Sequence, residues 1–280
     1  MEFPVLLFVQ WLRFAYPRCT RKTFDTQEQS CFLLGSLQKT RYKTIVDTDE
    51  CTLLNGAVKI KQPAQGFRVG NDAVFAAAAV HAVKGRHVLD LGCGVGGITF
   101  CLLHRLQNIH VTGVELQPVY YFCAIENAAL NNAQNNTAFI HEDIHSYQET
   151  GFDVVVTNPP YLEEGSFKTA PREEKNKAIG EGDLGAWLHV ANRALKPGGQ
   201  LVMIHRADHL QKIVMALGGK FGAVEVIPLY PRMGEPAKRV IIRALKGRRS
   251  PSIIHQGLTI HEADGYSEAA QRVLRDGEGL

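Results

Sequence analysis

An α/β fold with a mostly parallel sheet and helices on both faces is what this sequence predicts, and three observations lead there. From about residue 86, short β-branched runs alternate with longer helical stretches. The first of those runs ends in a glycine-rich turn that opens a helix, "VLDLGCGVGG". Acidic residues then stand at or just past the ends of the next two runs, Glu115 and Asp143.

In order, strands are expected at "HVLDL" (87–91), "HVTGVE" (110–115), "TAFIH" (137–141), "FDVVV" (152–156), "GQLVMI" (199–204), "AVEVIPL" (223–229) and "RVIIRAL" (239–245). That makes seven strands. Helices fill the gaps at "GITFCLLHRLQ", "PVYYFCAIENAALNN", "LGAWLHVANRAL" and "ADHLQKIVMALGG", and the Lys196-Pro197-Gly198-Gly199 stop is a helix terminus. Upstream, "QGFRVGNDAVFAAAAVHAV" reads as a turn followed by an alanine-rich helix with Asn71 or Asp72 as its cap. Residues 1–45 show no sustained period and are expected to be an N-terminal extension, leaving a domain at 46–246 and a C-terminal tail at 247–280.

At 280 residues and 45% hydrophobic, the chain can bury a full core, which excludes disorder as its main state. No window reaches the roughly 18 apolar residues of a membrane span, and the start lacks the order of a secretory leader, so a cytoplasmic location is expected. Six cysteines without a C-x-x-C suit free thiols. The net charge of +3 is uneven: residues 1–45 carry seven Lys/Arg against three Asp/Glu, and residues 232–249 seven against one. Such basic patches on a near-neutral body suggest a polyanionic partner such as nucleic acid, or else a solvated basic face.

Gly92 and Gly94 at a strand-to-helix turn let a backbone approach a ligand closely, and the helix start offers free N–H groups. Gly92, Gly94 and Gly97 also satisfy the dinucleotide spacing G-x-G-x-x-G, so a dehydrogenase stays open on the glycines alone. In an open α/β sheet the ligand lies across the carboxyl ends of the strands, where Glu115 can hold both hydroxyls of a ribose and Asp143 can accept from an adenine amino group. The fourth strand leaves the sheet as "TNPPY" (157–161). Its prolines fix the backbone and leave the Asn158 side-chain carbonyl and the Pro159 carbonyl as oriented acceptors. Two acceptors on the hydrogens of a conjugated amine would aim its lone pair at an incoming methyl group, and Tyr161 offers a face for an extruded base. His205 and His209 lack a third ligand, so no metal site is expected, and Cys93 reads as packing rather than a nucleophile. Residues 162–183 read as a substrate loop or a plain connection.

Together, "VLDLGCGVGG", Glu115, Asp143 and "VVVTNPPY" resemble the class I S-adenosylmethionine-dependent methyltransferases that act on planar amino groups, over roughly residues 52–245. More narrowly, "LLNGAVKIKQPAQGFRVGNDAVFAAAAV" and "LTIHEADGYSEAAQRVLRDG" are similar to the bacterial tRNA adenine-N6 methyltransferases that modify valine tRNA. The resemblance implies a Rossmann-like, seven-stranded sheet in the order 3-2-1-4-5-7-6, the last strand antiparallel. It implies that Gly92 and Gly94 cradle the methionine end of S-adenosylmethionine, that Asp90 lies beside its amino group, and that Glu115 takes the ribose and Asp143 the adenine. Arg68, Gly70 and Asn71 would cover the cofactor, Asn158 would adjoin it, and Asn158, Pro159, Pro160 and Tyr161 would bind the target amine and base. Arg239, Arg243, Arg248 and Arg249 are the expected phosphate contacts. The expected reaction is methylation of adenine N6 in tRNA. Rivals with the same motif methylate a release-factor glutamine, adenine in DNA or guanine N2 in rRNA, and a silent cofactor- or RNA-binding scaffold is the non-enzymatic alternative.

Overall fold

A computed structural model of the chain describes residues 47–81, 86–160 and 184–280. The expected N-terminal extension, Tyr161 and the 162–183 segment lie outside the described residues.

The described residues begin with a hairpin, β1 (Thr48–Leu53) and β2 (Val58–Pro63), turning through Asn55 at φ 53° and Gly56 at φ 90°. An Asn-Gly pair suits such a turn because both residues tolerate positive φ. Helix α1 (Asn71–Ala78) follows, and then the alternating units: β3 (His87–Leu91), α2 (Gly97–Arg105), β4 (His110–Glu115), α3 (Pro118–Leu130), β5 (Thr137–His141) and β6 (Phe152–Thr157). Next come α4 (Leu184–Ala194), β7 (Leu195–Arg206), α5 (Leu210–Leu217), β8 (Phe221–Tyr230) and β9 (Arg239–Lys246). The chain ends with β10 (Ile253–Ile254), β11 (Leu258–Thr259), the small hairpin β12 (His261–Glu262) and β13 (Gly265–Tyr266), and α6 (Glu268–Asp276).

The seven long strands stand in the order β5-β4-β3-β6-β7-β9-β8, with β9 antiparallel to both neighbours and the rest running one way. This is the expected order. The sheet itself has nine strands, because β10 and β11 add themselves in parallel to the outer edge of β8. The residues after β9 are therefore folded onto the sheet, and they run back toward its carboxyl edge.

Alternation along each strand divides the core in two. Val88, Val111, Val154 and Ile204 face one side, where α1, α2, α3 and α6 cover them; Leu89, Leu91, Val155 and Met203 face the other, under α4 and α5. Side chains pointing to opposite faces at successive positions require both faces to be covered, which explains why the central strands read as unbroken apolar runs.

The helix-cap expectation needs correction. The residue before α1 is Gly70, in extended conformation, and neither Asn71 nor Asp72 caps the helix. Their side chains are engaged elsewhere: Asn71 Nδ2 donates to the Tyr266 hydroxyl at 2.9 Å, and Asp72 accepts from Arg239 Nε at 2.9 Å. Both contacts tie the first turn of α1 to the late part of the chain.

Candidate functional site

At the carboxyl ends of β3, β4 and β6 the chain forms a cleft with two lobes, of about 280 and 210 Å³. Phe67, Gly92, Gly94 and Asn158 line both. The larger lobe continues along Arg68, Gly70, Asn71 and the start of α2; the smaller continues to Glu115, Asp143, Pro160 and Trp187. Most of the residues singled out from the sequence thus meet in one place.

The glycine turn is fixed by β4. Gly92 N and Cys93 N both donate to Val114 O, at 2.9 and 3.0 Å, which holds the turn against the end of the neighbouring strand. Gly92 sits at φ 74°, and a β-carbon there would come within 2.9 Å of the Trp187 ring. Gly94 sits at φ 56° with only open cleft where a β-carbon would stand. Gly97 has a different task from the third glycine of a dinucleotide motif. A β-carbon on it would collide with Val69, so it lets the upstream segment pack on the start of α2.

Glu115, 7% exposed, ends β4 with its carboxylate in the smaller lobe. One oxygen accepts from Gly94 N at 2.9 Å and the other from Gln117 N at 2.7 Å. Burial raises its pKa, opposed by those N–H donors. A carboxylate accepts about four hydrogen bonds, so it retains capacity for a diol. Asp143 lines the same lobe, and its Oδ1 accepts from His145 N at 2.9 Å in a tight turn after β5. Asn158 is half-buried, Pro159 buried and Pro160 exposed.

Asp90 does not reach the cleft lining. It is fully buried, with Oδ2 accepting from Thr99 N at 3.2 Å and Thr99 Oγ1 at 2.7 Å, so it bridges the end of β3 to the first turn of α2. Burial pushes its pKa up to about 7, against the two Thr99 donors. Cys93 is likewise buried, with its thiol pushed well above the usual range, in keeping with packing.

Three residues that the sequence did not single out belong to the cleft. Trp187 supplies part of the floor, and its Nε1 donates to Thr157 Oγ1 at 2.8 Å, which donates to Leu91 O at 2.7 Å. Tyr120, on α3, holds the segment before α1 by accepting from Phe67 N at 2.8 Å. Phe67 stands at the mouth. A tryptophan just after the long connection and an exposed-looking "QGF" were the available signals.

The four arginines expected on phosphate are separated. Arg243 is buried and committed, its Nη2 donating to Glu225 at 2.6 Å and its Nη1 to Leu280 O at 3.1 Å, which corrects its assignment to a nucleic-acid surface. Arg239 is partly buried and paired with Asp72 at the carboxyl edge. Arg248 and Arg249 are exposed, but they follow the far end of β9, roughly 23 Å along the strand from Arg239 at about 3.3 Å per residue. Among the described residues, no group of three or more His, Cys, Asp or Glu could hold a metal ion, and no helix is long and apolar enough to cross a membrane.

Residues 72–229 match the methyltransferase small domain. The chain belongs to that family. This methyltransferase is 30% identical over 206 residues to the tRNA1(Val) (adenine(37)-N6)-methyltransferase of Aeromonas hydrophila, a match covering 72% of this chain and 86% of that enzyme. It is 27% identical over 217 residues to the enzyme of the same name from Actinobacillus pleuropneumoniae serotype 7, covering 75% and 89%. Among solved structures, a predicted O-methyltransferase from Agrobacterium tumefaciens superposes with a TM-score of 0.63 at 23% identity, over 75% of this chain and 97% of that one. M. jannaschii TYW2, in complex with AdoMet, superposes at 0.53 with 16% identity, over 72% and 87%.

S-adenosylmethionine is the cofactor of this methyltransferase. The cleft fits it: Gly94 offers backbone with open space in place of a side chain, and Glu115 presents a carboxylate one strand away.

Proposed function

We propose that this methyltransferase methylates the exocyclic N6 amine of adenine in tRNA. The observation that carries the reading is Asn158, which lines both lobes at the end of β6 and is followed by the two prolines. Support also comes from the relatives named above, which are named for adenine(37)-N6 methylation of tRNA1(Val).

In this reading Gly92 and Gly94 bear on the methionine end of the cofactor, with Gly70, Asn71 and Arg68 covering it. Glu115 accepts from the ribose hydroxyls and Asp143 from the adenine amine. Asp90 acts from beneath, by holding the first turn of α2 in place. Bound S-adenosylmethionine supplies an electrophilic methyl group. Asn158 and the Pro159 carbonyl accept from the hydrogens of the target amine, which turns its lone pair toward the methyl group and restrains the amine in line. Pro160 flanks the target base. The new N–C bond forms as the methyl group's bond to sulfur breaks and leaves a neutral thioether, and the extra proton on the nitrogen passes to water.

Labelled S-adenosylmethionine offered to total tRNA, genomic DNA and a release factor, followed by nucleoside mass analysis, tests the substrate. N6-methyladenosine in tRNA is the expected product. Label confined to DNA or to the protein overturns the substrate while keeping the enzyme class. Within the same assay, Asn158→Ala is expected to abolish turnover while cofactor affinity stays within about threefold, since a transition-state contact is lost rather than ground-state binding. Unimpaired turnover in that variant would refute its role.

A further inference from the structure

Phe67 is 59% exposed, although it is a large apolar side chain in a segment otherwise fastened at every step. Its own N–H donates to the Tyr120 hydroxyl at 2.8 Å. Gly66 before it sits at φ 103°, and a β-carbon there would come within 2.6 Å of the same hydroxyl, so only glycine lets Tyr120 approach. After it, Arg68 is paired with Asp49 at 2.7 Å and Val69 N donates to the buried Gln62 at 2.9 Å. A segment fixed this way could have turned its aromatic residue inward. It holds the ring out over the cleft instead.

The ring's position identifies what it meets. A residue lining one lobe would contact one end of the cofactor, but Phe67 lines both, in company with Asn158 and the Gly92–Gly94 turn. It therefore stands where the lobes meet, together with Asn158, which the target amine must reach. We propose that Phe67 is the stacking face that receives the target base and holds its ring plane while Asn158 engages the amine. The inference rests on the nucleic-acid reading above and adds a substrate-recognition residue from a segment so far assigned only to the cofactor. A flat heteroaromatic ring suits this wall because stacking on an aromatic side chain is tolerant of sequence and costs less ordering when the backbone carrying that side chain is already held.

The test uses the full chain with Phe67→Ala, Phe67→Leu and Phe67→Tyr. Melting temperature and the directly measured dissociation constant for S-adenosylmethionine are read alongside kcat and KM for total tRNA. Phe67→Ala is expected to keep its melting temperature and bind cofactor within about threefold, while kcat/KM for tRNA falls roughly 5- to 160-fold, the size of one lost base stack. Phe67→Tyr should restore most of that loss and Phe67→Leu little of it, since the ring matters rather than its bulk. Equal kcat/KM in Phe67→Ala overturns the inference. So does a cofactor affinity that weakens in step with kcat/KM, which would place the ring on the cofactor, and so does full rescue by leucine. A wild-type enzyme that leaves tRNA unlabelled overturns the substrate reading itself, and is seen before any variant is made.

Discussion

Asp90 lies under the glycine turn with one oxygen on Thr99 and the other, Oδ1, without a hydrogen-bond partner among the described residues. Its pKa, raised from 3.8 to about 7 by burial, makes the folded state bind a proton that the unfolded state releases. The stability contributed by this proton is whole below about pH 3.8 and is lost as pH rises toward 7. Asp90→Asn should flatten that decline, and urea midpoints measured at intervals between pH 4 and 7 read it directly; a parallel decline in the variant would assign the slope to other groups. Trp187 works by contact rather than charge. Trp187→Phe keeps most of the floor but leaves the Thr157 hydroxyl without its donor, at a cost of about 1–2 kcal/mol in unfolding free energy. An unchanged urea midpoint would show that the Trp187–Thr157–Leu91 chain contributes no stability. Neither role could be read from the sequence: the acid in "VLDLG" looks like a ligand until its burial is known, and a tryptophan in a helix looks like ordinary core.

At the scale of elements, the exposed edge of β2 is closed by a helix rather than by another strand. Asn127 on α3 and Asn131 just past its end, one turn apart, each accept from and donate to the β2 backbone: Asn127 at Lys61 (2.7 and 2.9 Å), Asn131 at Lys59 (2.9 and 2.7 Å). Asn127 also donates to Val95 O at 3.0 Å, which connects the hairpin to the glycine turn. Unpaired strand edges invite pairing with other chains, and these two amides occupy part of this one. Asn127→Leu removes three hydrogen bonds from a fully buried position and should cost roughly 3 kcal/mol in denaturant unfolding. Cofactor affinity should weaken with it; a variant as stable as the wild type would sink the account. Two asparagines at i and i+4 in "ENAALNN" are poor helix formers, and that was a legible sign that their side chains had work outside the helix. The Asn55-Gly56 hairpin was equally legible and was missed because the alternation before it is interrupted by Asp49, Glu50 and Cys51. Strands β3, β4 and β6, by contrast, are readable to within a residue, since strands covered on both faces are apolar nearly throughout, whereas β7 starts four residues before its expected bound and takes in the Lys196–Gly199 stretch read as a helix terminus.

For the whole molecule, the placement of charge decides where a nucleic acid can lie. Arg232 and Lys238 are exposed in the turn joining β8 to β9, at the same edge as the cleft, whereas Arg248 and Arg249 occupy the opposite edge. Replacing Arg232 and Lys238 with alanine should lower the slope of log K against log salt for tRNA by about one for each, and replacing Arg248 and Arg249 should lower it less. The reverse ranking would mean that the bound RNA wraps to the amino edge. The sequence could not separate these groups. A run of basic residues shows neither which end of a strand each occupies nor that one of them, Arg243, is buried against Glu225.

Helix α1 lines the cleft, yet α6 packs in the same core cluster and Tyr266 holds Asn71, although almost two hundred residues separate these partners in the chain. The order of synthesis follows from this. A chain emerging from the ribosome can lay down β3 to β7 in sequence, since each pairs with strands already made, but the wall formed by α1 stays without its support until residues 260–276 are free to fold. A chain cut after β9 would keep the seven long strands yet lack both Tyr266 and α6, the late supports of the wall that α1 forms.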